Sequence, residues 1–156
     1  MIFHILINQM TTLFLSLNLL TTLSFDSEIE SYLYGGSPEE MFFQVTGNNK
    51  TLALRPRTEG GFSNLLVITK NRKYYFDLKY DKANPHQFIE VKDGVMNHAL
   101  TKKMKTADFQ ILEGDNSILF MNLKSAEVNV NGVKVNHQEY FSKGVPIIRE
   151  GRRILN

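Results

Sequence analysis

The chain has no cysteine and no tryptophan. Without cysteine there can be no zinc ribbon, no thiol nucleophile and no disulfide scaffold, and the redox compartment stays open, since cytosol and periplasm both suit such a chain. An excess of one charge sign is also missing: 18 Lys and Arg stand against 16 Asp and Glu, a formal net charge of +2. A domain that tracks phosphates usually carries a denser basic stripe, so no nucleic-acid partner is expected. Histidine is sparse. His4, His86, His98 and His137 include no i,i+4 or other short-spaced pair that could make a metal face. No G-x-S-x-G elbow, Walker loop or G-x-G-x-x-G occurs, and the glycine pairs in "YGGSPEE" and "EGGF" lack phosphate-cradle spacing and read as turns. Acidic pairs such as Glu39-Glu40 fall in loops, where solvated surface is the default over acid–base work. Asn49-Lys50-Thr51 matches a glycosylation acceptor, a pattern short enough to arise by chance. No catalytic residue, cofactor or metal is expected, and the chain does not read as an enzyme.

What is present is an ordinary globular balance, 42% hydrophobic, 11% aromatic and 22% charged over 156 residues, enough for one core or one domain plus an appendage. From Met1 to Phe25 there is no Asp, Glu, Lys or Arg, and "MTTLFLSLNLLTTL" has the look of the apolar core of an export signal. Residues 1–20 are therefore expected to be an export signal or an apolar N-terminal segment. No Lys or Arg precedes the run and no A-x-A pattern follows it, so the other reading is that Leu13 to Phe25 makes one or two buried strands. Asn8, Gln9, Thr11, Thr12, Ser16 and Asn18 interrupt any approach to the ~20 apolar residues of a membrane span.

After Asp26 the pattern is of short strands punctuated by turns. Leu65-Leu66-Val67-Ile68 is a near-continuous apolar run, as in a strand buried on both faces or lying at a sheet centre. A polar break, "KNRK", follows, with Asn71 as the residue able to take a left-handed turn conformation. Beyond it Tyr74, Phe76, Leu78 and Tyr80 share one face while Tyr75, Asp77 and Lys79 share the other. The two segments predict an antiparallel hairpin. "GVMNHALTKKMKT" is the only plausible helix, from the loose spacing of Val95, Ala99 or Leu100, and Met104. Asn131-Gly132 predicts a type I′ turn with Val130 opposite Val133 and Val128 opposite Val135. The fold class expected is mainly β, an antiparallel β-sandwich of short strands with at most one short helix. Three basic clusters, Lys70/Arg72/Lys73, Lys102/Lys103/Lys105 and Arg149/Arg152/Arg153, read as solvated turns and a helix end unless they share one face with interleaved aromatics.

The run "TTLSFDSEIESYLYGG…FFQVTGNNKTLALRPR…FSNLLVITKNRKYYFDLKY" resembles the N-terminal domain of type IV secretion outer-membrane core subunits, the TrbG/CagX family, with the related TraN proteins of conjugative transposons. The matching positions are Thr22, Leu23 and Phe25, then Arg55-Pro56, then Ser63, Asn64, Leu65, Val67, Thr69, Arg72, Tyr74, Phe76 and Leu78, within a stretch from Thr21 to Val91. The resemblance implies a β-sandwich domain at residues 21–92, exported to the periplasm and associated with the outer membrane. It further implies a homo-oligomer with a structural, non-catalytic role in a conjugation or secretion complex. A lipoprotein and an inner-membrane-anchored core subunit would be partners, and peripheral membrane association would follow from that location. Residues 93–156 match no motif of the family's second domain and are expected to be a β-rich segment with a hairpin at 128–135, packed on the same sandwich or beside it. The alternative is a secreted or surface β-sandwich module that recognises a protein or glycan through its loops. Candidate interface residues are Tyr75, Arg72 and Lys73, with Tyr75 the aromatic expected to face outward.

Overall fold

A computed structural model describes residues 1–156, and its regular elements are all strands. In chain order they are β1 (Ile2–Ile5), β2 (Met10–Leu15), β3 (Thr21–Phe25), β4 (Ile29–Tyr34), β5 (Met41–Thr46), β6 (Thr51–Pro56), β7 (Asn64–Thr69), β8 (Lys73–Tyr80), β9 (Phe88–Asp93), β10 (Thr101–Lys105), β11 (Phe109–Glu113), β12 (Ile118–Asn122), β13 (Val128–Val130), β14 (Val133–Val135), β15 (Gln138–Phe141), β16 (Ile147–Arg149) and β17 (Arg152–Leu155). Four sheets result, ordered β1-β9-β3-β6-β5, β2-β8-β7-β4, β10-β11-β12-β15 and β14-β13-β16-β17. The chain divides into two compact units, Met1–Ile2 with Met10–Lys92, and Phe3–Gln9 with Asp93–Asn156. The fold is mainly β and sandwich-like, as the alternating patterns predict.

In the first unit, period-two alternation decides which side chains meet. The inward set of β8 is Tyr74, Phe76 and Leu78, and that of β7 is Leu65 and Val67, all buried. Each such side chain removed from water contributes about 1.5–3 kcal/mol. They face a second layer: the Phe25 ring of β3 lies 5.1 Å from Tyr74, and Phe43 of β5 lies 5.2 Å from Tyr32 and 5.4 Å from Tyr34 of β4. Two sheets thus close on one aromatic and aliphatic interior. The hairpin forms where the sequence places it, with Leu65 opposite Phe76 and Val67 opposite Tyr74. Its turn chemistry is different. Asn71 is not left-handed. Thr69 Oγ1 instead accepts from the backbone N–H groups of Asn71 and Arg72 at 3.2 and 3.1 Å and donates to the Arg72 carbonyl at 2.9 Å. A hydroxyl that satisfies three backbone groups removes the need for a left-handed residue.

Two expectations are corrected. The sandwich is not wholly antiparallel: β2 runs parallel to β8, and β3 runs parallel to β9. Alternation identifies a strand's faces but carries no information about direction, and parallel partners are joined by long crossovers, here β3–β7 between β2 and β8 and β4–β8 between β3 and β9. The expected helix at 94–106 is absent, and Thr101–Lys105 is β10, paired with β11. Asn97 explains part of this. Its backbone N–H donates to Ser117 Oγ at 3.0 Å, and its side-chain oxygen accepts from Asn116 N at 2.7 Å and Ser117 Oγ at 3.1 Å. These bonds compete with the i→i−4 ladder a helix would need.

The apolar start of the chain is folded into the body. Leu13 and Leu15 of β2 and Leu23 and Phe25 of β3 are buried, so the stretch from Leu13 to Phe25 has the structure that the buried-strand reading describes, and Phe3 and Ile5 of β1 are buried as well. The second unit has its own core. Phe109 and Phe120 stack at 5.5 Å, and Phe120 meets Phe141 edge-on at 6.4 Å. From the other sheet of this unit the Arg149 guanidinium stands 5.7 Å from the Phe109 ring. Asn131 and Gly132 turn with φ of 50° and 81°, and the valine pairs fall as predicted. The Asn131 side chain adds bonds the dipeptide alone did not suggest, donating to the Pro146 carbonyl at 3.1 Å and accepting from Ile148 N at 2.8 Å. Glu113 is held below the usual carboxylate range, first by its hydrogen bond from Lys103 and then by Lys143.

Phe76→Ala should destabilise the chain by about 3–5 kcal/mol in urea unfolding, as a fully buried phenylalanine deletion does. A second outcome concerns Tyr34, whose hydroxyl donates to Glu40 Oε2 at 2.5 Å and accepts from Ser63 N at 3.2 Å. Burial first, and then the bond to Glu40, push its pKa from 10.0 up to about 12. The folded value lies above the unfolded one, so this stabilisation is complete below about pH 10 and is lost as pH rises through about 12. The stability of Tyr34→Phe, followed over the same alkaline range, should fall less steeply than that of the parent chain.

Candidate protein interface

The same alternation that fills the interior fixes the outer face of the β2-β8-β7-β4 sheet. With Tyr74 and Phe76 turned in, Tyr75 must point out, and with Leu65 and Val67 turned in, Leu66 and Ile68 must point out. The register then aligns four of these outward residues across four strands. Met10 of β2 pairs with Tyr75 of β8, Tyr75 with Leu66 of β7, and Leu66 with Leu33 of β4. Met10 is 41% exposed, Tyr75 40% and Leu33 62%, while Leu66 is half-buried between them. An unbroken apolar row therefore crosses the sheet in contact with solvent.

The rows on either side are polar or mixed. One consists of Lys73, Ile68 and Ser31, the other of Thr12, Asp77 and Asn64. Lys79 stands 3.8 Å from Asp77 at the rim, an exposed pair of small energetic weight. Further along β2 the outer face is closed over. Phe14 is buried there, its N–H donates to His86 Nδ1 at 3.0 Å, and its carbonyl accepts from His86 N at 2.8 Å. The apolar row is thus bounded on both sides, a stripe and not a general greasiness of the sheet.

Of the three residues singled out from the sequence, Tyr75 and Lys73 do share this outer face, two positions apart on β8. Arg72 does not join them. It sits in the turn with its guanidinium 4.5 Å from the ring of Tyr74, the inward aromatic, and stabilises the end of the hairpin by cation–π attraction. The other basic clusters are in the second unit, on different sheets: Lys102, Lys103 and Lys105 on the edge strand β10, and Arg149, Arg152 and Arg153 on the β16–β17 hairpin. Sequence reasoning missed Met10, Leu33 and Leu66. Leu66 was masked by its place in a continuous apolar run, although its phase, opposite to Leu65 and Val67, marks it as outward. Met10 joins the row through a parallel pairing that no local pattern announces.

No group of three or more His, Asp or Glu side chains is placed to hold a metal ion. No helix is long and apolar enough to cross a membrane. In comparisons with known proteins, no family model matches the chain and no curated protein gives a significant match. Tyr75→Ala should change unfolding free energy by less than about 1.5 kcal/mol, since it loses only cross-strand contacts on a wet face. The same urea titration on Phe76→Ala should give at least twice that loss, and equal losses would mean that Tyr75 is not outward.

Proposed function

We propose that this chain is a structural, non-catalytic subunit of a periplasmic, outer-membrane-associated conjugation or type IV secretion complex, acting by protein–protein assembly. The observation that carries the reading is the solvent-facing row Met10–Tyr75–Leu66–Leu33. A contiguous apolar stripe rimmed by polar residues is what a protein contact uses, because covering it releases water from apolar surface without stranding charges. An exposed tyrosine at its middle suits such a contact, offering a large rigid surface with little rotamer entropy to lose. The resemblance to the TrbG/CagX N-terminal domain gives the setting. Its residues, from Thr22 to Leu78, all belong to one compact unit, and the hydrophobic ones are largely that unit's interior. The identity of the machine's other members, a lipoprotein and an inner-membrane-anchored subunit, follows from the same resemblance.

Leu33→Glu combined with Tyr75→Lys tests this directly, because both side chains are exposed and neither belongs to the core. Light scattering on the intact chain, together with fractionation of the cells that make it, should show the parent in envelope-associated multimers. The double variant should remain folded and be found as dispersed monomers. A double variant that assembles like the parent, or a parent that stays monomeric and never enters the envelope fraction, would contradict the proposal.

A further inference from the structure

We infer that Arg149 and Arg152, held side by side on the β16–β17 hairpin, form a binding site for a terminal phosphate group, carried by a lipid headgroup or free in solution. The site lies in the second compact unit and the apolar row in the first, so it stands independently of the assembly reading.

The hairpin fixes where both side chains go. Glu150 and Gly151 take φ of 49° and 77°, the two left-handed residues that close a tight turn, and Arg149 and Arg152 are the opposed pair on either side of it. Opposed residues project to the same face, with Cβ atoms about 4.5–5.5 Å apart, so the two guanidiniums share one side of the sheet. It is the side turned to the unit's core, because Arg149 also pairs with Val130, which is fully buried. Arg149 is half-buried with its guanidinium 5.7 Å from the Phe109 ring, and Arg152, at the open end of the row, is exposed. One of the two forks is therefore backed by an aromatic face, in a setting where water screens its charge less than at an open surface.

Neither guanidinium is paired with a carboxylate, and the buried Nε of Arg149 makes no hydrogen bond. The acids nearest in the chain are engaged elsewhere. Glu150 Oε1 accepts from Asn129 N at 2.7 Å, and Asp108, the residue before Phe109, stands 3.2 Å from Lys124. Arg153 is engaged too, donating through Nε to the Asn156 carbonyl at 2.5 Å and through Nη2 to Asn156 Oδ1 at 3.4 Å. A buried cationic N–H without a partner is costly, and like charges directly opposite each other on paired strands are destabilising. An anion seated between Arg149 and Arg152 offsets both effects.

Donor geometry selects the anion. A single guanidinium fork saturates a carboxylate with two parallel bonds, so two forks together suit an oxyanion with three oxygens and more than one negative charge. A terminal phosphate meets both conditions. A nucleic-acid backbone would need a longer track of such sites than one pair of arginines provides.

The Nε–H resonances of the arginines report on the site directly. In the full chain those of Arg149 and Arg152 should move and saturate as inorganic phosphate is added at pH 7.5, and stay in place in chloride of the same ionic strength. Arg152→Gln, at an exposed position, should weaken phosphate binding about tenfold. Arg149→Lys keeps the charge but removes the fork, and should weaken it severalfold. Sedimentation with vesicles separates the two sources. Pelleting with phosphatidylcholine vesicles that contain phosphatidic acid, but not with phosphatidylcholine alone, and lost in Arg152→Gln, identifies a lipid headgroup. Saturable phosphate binding without pelleting identifies free phosphate. Resonances that follow chloride as closely as phosphate, or an Arg152→Gln chain that binds phosphate and vesicles as the parent does, would overturn the site and leave these arginines as solvated surface. Neither result bears on whether the apolar row of the first unit assembles.

Discussion

The register of the β7–β8 hairpin is the constraint on which the rest of the first unit depends. Thr69 fixes it by serving three backbone groups at the turn with one hydroxyl. Because side chains alternate with period two, a slip of one residue would turn Phe76 and Tyr74 out to water and bring Tyr75 and Asp77 into the interior. With the register held, the interior is aromatic and aliphatic and the outward row is aligned across four strands. Core and surface site are therefore two consequences of one backbone pairing. A change at the turn would disturb both, while a change on the outer row would disturb only one.

The hairpin was largely legible in the sequence. Tyr74, Phe76 and Leu78 alternate with polar or exposed residues so regularly that their burial could be read directly, and the Asn131-Gly132 turn was as plain. What could not be read was anything set by pairing between distant segments. The parallel seating of β2 beside β8 brings Met10 to Tyr75, and nothing in the local pattern of either strand encodes it. The sequence places a turn after Thr69 but points to Asn71 as its key residue, whereas a threonine two positions earlier does by hydrogen bonding what an asparagine would do by conformation. The expected helix failed for a related reason: its apolar spacing was loose, and Asn97 spends its side chain on Asn116 and Ser117.

The apolar first stretch shows how one composition can serve two physical ends. A run without charged residues is what an export signal needs, and it is equally what strands buried in two different cores need. Here β1 and β2 are such strands, with Met1–Ile2 and Met10–Leu15 in the first compact unit and Phe3–Gln9 in the second. Both units consequently depend on contacts of long sequence separation, the kind that form late and slowly in folding.

The most direct test of the account is the reactivity of single cysteines introduced, one per chain, at Leu33, Leu66 and Tyr75 and, as inward controls, at Val67 and Phe76. The first three should react readily with a maleimide in the dilute, folded chain and become protected in the envelope-assembled form, while the controls stay protected in both. Equal labelling of Leu33, Leu66 and Tyr75 in the two states, or labelling at Phe76 as fast as at Tyr75, would contradict it.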